Sequence, residues 1–421
     1  MRSFRAEHNL IAVSANLRET ALNTEQTLDT TLLVDRDSIL QLSPRREDNR
    51  DEQTGKEEPD RAYNLGALSE TTLTFSKAKP QDFAFGYAFA LGTCSPSAWG
   101  TGYKHVITPT EEMCNPSFTA AGRLGQTVMK RRFASFLVDQ LTATFAKDSW
   151  AKLSLSVKGT GKYTDNVTKE TVTAAYNAME LTLAANAVQG ATAAARLDSI
   201  HAVRVLVPTT GEYKDVAITA ASSATPAVLT ITAPGEEATS TSYEILYAPT
   251  EPAWCSFPAR VDESPLRVTD LVVKVGGLWN GTTFLEGHSM SEEIESIEHV
   301  ISNEMAVEFR PGGTGAYASY AYRQRRIQTL KLDRQFRDFI MQRKILDNEY
   351  FGVQMKATGA EFETGKNFYV DVVFPRCVVL TAPLKVNGNF VGEEGDLQVL
   401  EDDTYGSVRV EVANKVSGYA Q

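Results

Sequence analysis

The chain is short of cysteine, histidine, long apolar runs and positive charge, and each shortage removes a class of function. Only four cysteines stand among 421 residues: Cys94, Cys114, Cys255 and Cys377. None forms a C-x-x-C pair, and no histidine cluster lies near them at zinc-ligand spacing. They read as buried free thiols, not as a disulfide frame. The longest near-continuous apolar run, 83–91, is far too short to cross a bilayer. Residues 1–20 carry Arg2, Arg5, Glu7 and Arg18 with no apolar core, so no signal peptide is expected. Lys and Arg number 42 against 53 Asp and Glu, a net charge of -11. That balance repels phosphate, because nucleic-acid binding is dominated by basic side chains.

Catalytic signatures are equally sparse. The histidines are His8, His105, His201, His288 and His299, and no G-x-S-x-G elbow accompanies them. Gly159-Thr160-Gly161-Lys162 looks like the end of a phosphate loop, but Ser156 replaces the required glycine and Tyr163 the required Ser or Thr. A turn between strands is the better reading. His288 and His299 bracket Glu292, Glu293, Glu295 and Glu298 without H-E-x-x-H spacing. No calcium loop of the D-x-D-x-D-G type is present. The expectation is a non-enzyme with no catalytic residue, no cofactor and no metal.

What the chain does have is repetition. Thr72-Leu73-Thr74-Phe75, basic residues and Asp82-Phe83 are echoed by Thr329-Leu330-Lys331-Leu332, basic residues and Asp338-Phe339. Phe136-Leu137-Val138-Asp139 leads to Val157-Lys158-Gly159, as Phe368-Tyr369-Val370-Asp371 leads to Val386-Asn387-Gly388. The pattern predicts a mainly β fold with two echoing units, each with a short helix, plus a small inserted β-sandwich. The expected division is an N-terminal arm over 1–30, a first unit over 31–164, an insert over 165–250 and a second unit over 251–421.

Along the chain, 31–42 and 68–76 read as strands. Between them, 43–63 is a long mixed-charge loop with Arg45, Arg46, Glu47, Asp48, Arg50, Asp51, Glu52, Lys56, Glu57, Glu58, Asp60 and Arg61. In 81–91, Phe83, Phe85, Tyr87, Phe89 and Leu91 have a period of two. The Pro80 entry and Gly92 exit nevertheless favour a short buried helix, echoed over 335–347. Glycines and prolines mark 93–130 as loop. Strands return over 133–158, where a register switch predicts a bulge. The Ala-, Thr- and Ser-rich insert carries short strands at regular spacing. Strands follow at 271–275 and, finally, over 397–414. Arg131 and Arg132, and Arg323, Arg325 and Arg326, form basic clusters. Tyr317, Tyr320 and Tyr322 near the second would suit stacking on single strands. With net negative charge, salt bridges to an acidic face of a neighbouring subunit are preferred.

The order of elements resembles the major tail tube protein of long-tailed bacteriophages. The residues that carry the resemblance are Asn64-Leu65-Gly66-Ala67-Leu68 running into the Thr72 strand, the 82–92 helix, and His105 before Thr108-Pro109. Asn115-Pro116-Ser117-Phe118-Thr119 and Leu384-Lys385-Val386-Asn387-Gly388 through Gly406 to Asn414 add to it. It covers about 30–160 and 255–415; no motif in it is diagnostic alone, and 165–250 lies outside. The resemblance implies duplicated β-sandwich, tube-type units, each with a short flanking helix, whose sheets join between neighbouring subunits into a β-barrel around a channel, with the 43–63 loop reaching the adjacent ring. The counterpart of that loop would be 302–325. Duplication then implies trimeric, pseudo-sixfold rings stacked into a tube, with hexameric rings as the alternative. Tape-measure protein and genome DNA would occupy the lumen without tight binding, and no membrane is involved. The location implied is the virion tail, the protein being made in the bacterial host cytoplasm. The alternatives are a tail terminator, tail-tip or decoration protein, or a carbohydrate-binding β-sandwich.

Overall fold

The computed structural model describes residues 5–125, 129–260 and 263–421. The protein is mainly β, with 52% of residues in strands and 8% in helices. It divides into two compact units. One gathers the residues up to 12, 121–132 and 163–258; the other holds 13–120, 133–162 and 259–421.

The first unit contains a small β-sandwich. A four-stranded sheet runs in the order Thr168–Ala175, Ser240–Tyr247, Ile200–Leu206, Tyr213–Asp215, and a three-stranded sheet in the order Glu180–Thr182, Val228–Ile231, Ile218–Ala221. Alternation explains the two layers: Tyr243, Ile245 and Tyr247 point to one face and are buried with Leu181, Val203, Val205, Leu229 and Ile231. The expected insert, 165–250, falls within this unit.

The second unit carries the repeat. Its first half contributes β1 (Leu42–Asp48), β2 (Ala62–Phe75), α1 (Pro80–Leu91), β3 (Gly92–Trp99), β4 (Gly102–Pro109), the part of β5 (Met129–Ala146) from Phe133 onward, and β6 (Lys152–Gly159). Its second half contributes β7 (Leu271–Trp279), β8 (Ile294–Ser302), β9 (Ile327–Gln335), α2 (Ile340–Leu346), β10 (Phe351–Glu363), β11 (Lys366–Thr381), β12 (Leu384–Asn387), β13 (Phe390–Leu400) and β14 (Arg409–Asn414).

Two four-stranded antiparallel sheets have the same order. The first is β1-β2-β6-β5 and the second β8-β9-β13-β11. They join where β5 pairs with β8, from Gln140 opposite Ser302 to Ala146 opposite Ser296. One row crosses seven strands: Phe75, Leu153, Ala143, His299, Leu330, Leu397 and Val379. Every member is buried. The adjacent row, on the other face, is Thr74, Ser154, Thr142, Val300, Thr329, Gln398 and Val378, all half-buried. One face is thus apolar and covered. The other is polar and almost free of charge in this row.

Helix α1 lies on the apolar face. Pro80 opens it, the Asp82 carboxylate accepts the Lys79 N–H at 2.9 Å, and Gly92 at φ +108° ends it. All twelve residues are buried, which explains a pattern without a polar face. A side chain at Gly86 would meet Leu141, Leu153 and Leu155, so the glycine lets the helix approach the sheet closely. On its other side α1 packs on β4 and β14. These belong to the outer layer β3-β4-β14-β11-β10-β7. Strand β11 serves both layers: Tyr369–Val373 pairs with β14, and Arg376–Thr381 with β13.

The structure corrects several readings. The 93–130 stretch, expected as loop, has 126–128 outside the described residues; its described part holds β3, β4 and a strand at Phe118–Leu124. Pro96 and the serines of β3 are tolerated because β3 is an edge strand, paired with β4 alone among the described residues. The arm at 1–30 includes a strand at Leu10–Val13, with Ile11, Ala12 and Val13 buried. The 397–414 segment forms parts of two strands, not one. The predicted bulge is present, between Val138 and Gln140. The two Phe-x-Val-Asp tetrads do not correspond: Phe136 pairs with β6, whereas Tyr369 pairs with β14. The counterpart of β6 is β13, not the 386–388 segment, which lies in the β12 hairpin.

Candidate assembly interface

The charged segment 43–63 is a β-ribbon. Strand β1 extends to Asp48 and β2 begins at Ala62, so the loop proper is 49–61. Asn49, buried at its base, organises it. Its side-chain carbonyl accepts the N–H groups of Asp60 and Arg61 at 3.2 Å, and its amide donates to Asp60 Oδ1 at 2.9 Å. Lys56 pairs with Asp60 at 2.5 Å, Arg50 with Asp48 at 3.2 Å, and the Tyr63 hydroxyl donates to Glu52. The Lys56 ammonium holds the Asp60 carboxyl below its usual range. Arg46, Glu47, Asp51, Glu57, Glu58 and Arg61 are exposed, and Arg45 lies over the Phe309 ring at 5.7 Å.

The counterpart in the second repeat, 303–326, behaves differently. It forms a hairpin of Met305–Glu308 with Tyr320–Arg323 and folds back over the first repeat. Asn303 is fully buried; its N–H donates to Asp139 O at 2.8 Å and its amide to Val138 O and Ala90 O at 3.0 Å. The Met305 N–H donates to Asp139 Oδ1, the Ala318 N–H to Thr160 O, and the Ala67 N–H to Ala316 O. Gly66, at φ +94°, leaves room for Phe309 and Gly315, which a side chain there would strike.

The arginine clusters are engaged within the chain. Arg323 donates to Asn115 Oδ1 at 2.6 Å and to the carbonyls of Thr110 and Glu112. Arg326 donates to the carbonyls of Leu91 and Thr110, and burial pulls its pKa down to about 10. Arg325 pairs with Glu304 at 2.6 Å. In the other unit, Arg131 pairs with Asp165 at 2.5 Å, and Arg132 lies over the Trp254 ring.

Two edges end the eight-stranded sheet, and no local sequence signal marks either. At one, a groove of about 500 Å³ is lined by Asp37, Ile39, Gln41, Glu70 and Thr72. The Ile39 carbonyl accepts from Thr71 Oγ1 at 2.8 Å, which aligns 37–41 beside β2. At the other, the pairing of β11 with β10 stops at Cys377, and Leu380 is 55% exposed. Exposed apolar side chains gather in the elements near this end: Phe339, Ile340 and Leu346 around α2, and Leu384, Val386 and Phe390 around the β12–β13 turn.

The chemical candidates take structural places. His299 sits in the apolar row, and His288 lies on a short exposed strand. Among the described residues, no group of three His, Cys, Asp or Glu side chains could hold a metal ion. The four cysteines are free thiols, and burial pushes Cys94 and Cys255 up to about 11. No helix among the described residues is long and apolar enough to cross a membrane. Comparison with models of known families and with curated proteins returns no match.

Proposed function

We propose that this is a structural virion protein that polymerises into stacked rings, forming the tail tube through which genome DNA leaves the phage. The observation that carries the reading is the repeated sheet. Each repeat presents four strands in one order, and the β5–β8 seam joins repeat to repeat. The same seam, made again between chains, extends the sheet from the β11 end of one copy to the 37–41 edge of the next. Register identifies the contact. Thr72 and Thr329 are equivalent, so Thr142, opposite Ser154, corresponds to Thr381, opposite Asp396, with Leu380 as the bulge residue beside it; the β1–β2 register continued past Leu42 makes Ile39 the counterpart of Val300. Thr142 and Val300 face each other in the internal seam. Thr381 and Ile39 then face each other in the intermolecular one, with Leu380 beside them; Leu380 and Ile39 are 55% and 39% exposed. Three chains then close a pseudo-sixfold ring, and the face that carries the row Thr74–Val378 lines the channel, the next row adding Lys152, Glu298, Lys331 and Asp396. Acidic residues interleave with the lysines there, so phosphate meets no continuous basic track.

Negative-stain microscopy of purified protein tests this. Long hollow tubes are expected, and Leu380→Lys should leave a folded monomer. Single closed rings would instead favour a tail terminator. A wild-type chain that stays monomeric would overturn the reading.

A further inference from the structure

We infer that the β1–β2 ribbon of one chain lies laterally across the intermolecular seam, on the Leu400–Asp403 segment of its neighbour in the same ring. This rests on the tube reading, and it goes beyond the expectation that the 43–63 segment serves only to contact an adjacent ring.

The argument comes from the contrast between two equivalent segments. Each links the first and second strands of a repeat: β1 to β2 in one, β8 to β9 in the other. Segment 303–326 crosses the internal seam and settles on the preceding repeat, over Val138–Asp139 of β5 and Thr160 just beyond β6. Asn303, Met305 and Ala318 become buried there. The β1–β2 ribbon has no preceding repeat in its own chain, and residues 43–47 and 61–65 stand exposed, Tyr63 and Leu65 among them. The difference in burial follows the difference in neighbours. A second copy supplies the missing neighbour.

Register gives the landing site. Val157 of β6 corresponds to Val399 of β13, which places Lys158, Gly159 and Thr160 at Leu400, Glu401 and Asp402. Val138 corresponds to Cys377. The landing site differs from its internal counterpart in charge. Glu401 and Asp403 are exposed, and Arg46 is exposed on the incoming ribbon. The ribbon carries both signs, and Arg46 is the exposed cation placed to meet this acidic turn.

Disulfide trapping in the full chain tests the inference. Cys94 and Cys114 are replaced by serine, Arg46→Cys and Asp403→Cys are introduced, and assembled particles are oxidised mildly. The expected result is a covalent ladder that ends at the number of chains in one ring. A second pair, Ser43→Cys with Glu401→Cys, should give the same ladder. Independently, Arg46→Glu should reduce polymerisation and Asp403→Arg in the same chain should restore it. Particles that assemble while both pairs stay unlinked would overturn the lateral placement and leave the tube reading standing. A ladder running past the ring number, from links between rings, would do the same. Wild-type protein that never assembles would instead remove the tube reading on which the inference depends.

Discussion

The Tyr87 hydroxyl meets Nδ1 of His299 at 2.9 Å, with both side chains buried. Tyr87 belongs to α1 of the first repeat and His299 to β8 of the second, so the bond ties the repeats together beneath the internal seam. Nε2 of His299 faces Gln328 Oε1 at 3.3 Å, and the Gln328 amide donates to Ser407. This network makes Nε2–H the donor and Nδ1 the acceptor of the Tyr87 proton.

Burial depresses the His299 pKa from 6.5 to about 4. The unfolded chain therefore takes up a proton before the folded one does. The stability from neutral His299 is present above pH 6.5 and lost as pH falls toward 4, amounting to about 3 kcal/mol. His299→Gln should flatten the fall in urea midpoint between pH 6.5 and 4. An unchanged slope would show that other groups set the acid limb.

Asp82 and Glu263 act in the opposite sense. Burial raises both to about 7; Glu263 adds to the rise at Asp82, and Lys79 opposes the rise at each. Their folded pKa values exceed the unfolded ones near 4, so their contribution is full below pH 4 and is lost as pH rises through 7. Asp82→Asn keeps an oxygen for the Lys79 N–H. Its melting temperature relative to wild type should rise between pH 4 and pH 8. A constant difference across that range would contradict the assignment.

Arg334 is the centre of a buried ion cluster. It reaches Glu393 at 2.6 Å, Asp338 at 2.9 Å and Glu293 at 3.0 Å, with its side chain 1% exposed. Arg334→Met leaves Glu393 buried without a cation and Glu293 with Arg337 alone, at 3.6 Å, and should cost about 3–5 kcal/mol in chemical denaturation. Adding Glu393→Gln should recover part of the loss. If the single variant costs less than about 1 kcal/mol, solvent is reaching the cluster.

Deleting Glu47–Arg61 should leave the fold intact, because the ribbon beyond Leu42 is largely exposed. Circular dichroism should show a melting temperature within a few degrees of wild type, and microscopy should show no tubes. Long tubes from the deletion variant would remove the ribbon from the assembly.

Much of the second unit was legible because local chemistry and tertiary structure agreed there. Pro80 and Gly92 mark the ends of α1, and Thr72 and Thr329 occupy equivalent positions. The outer layer was hidden for a physical reason: β3 is an edge strand and tolerates Pro96, so its composition resembles a loop. The tetrad at Phe368–Asp371 misled because β11 is shared by two layers and its first half has no counterpart in a one-layer repeat. The seam was not legible at all. It depends on pairing Gln140 with Ser302, residues distant in sequence, and no local signal marks a strand edge as occupied. Nor could spacing show that Arg323 and Arg326 turn inward to cap carbonyls.

In the proposed tube, the internal seam would also set the thermodynamics of growth. A junction formed within one chain is completed during folding, at an effective concentration that dilution cannot lower. Only the junctions between chains lose translational and rotational freedom on assembly. The two kinds of junction are therefore free to diverge: the internal one toward permanence, as Asn303 and His299 suggest, and the external one toward a strength that permits a misplaced chain to leave before the polymer continues.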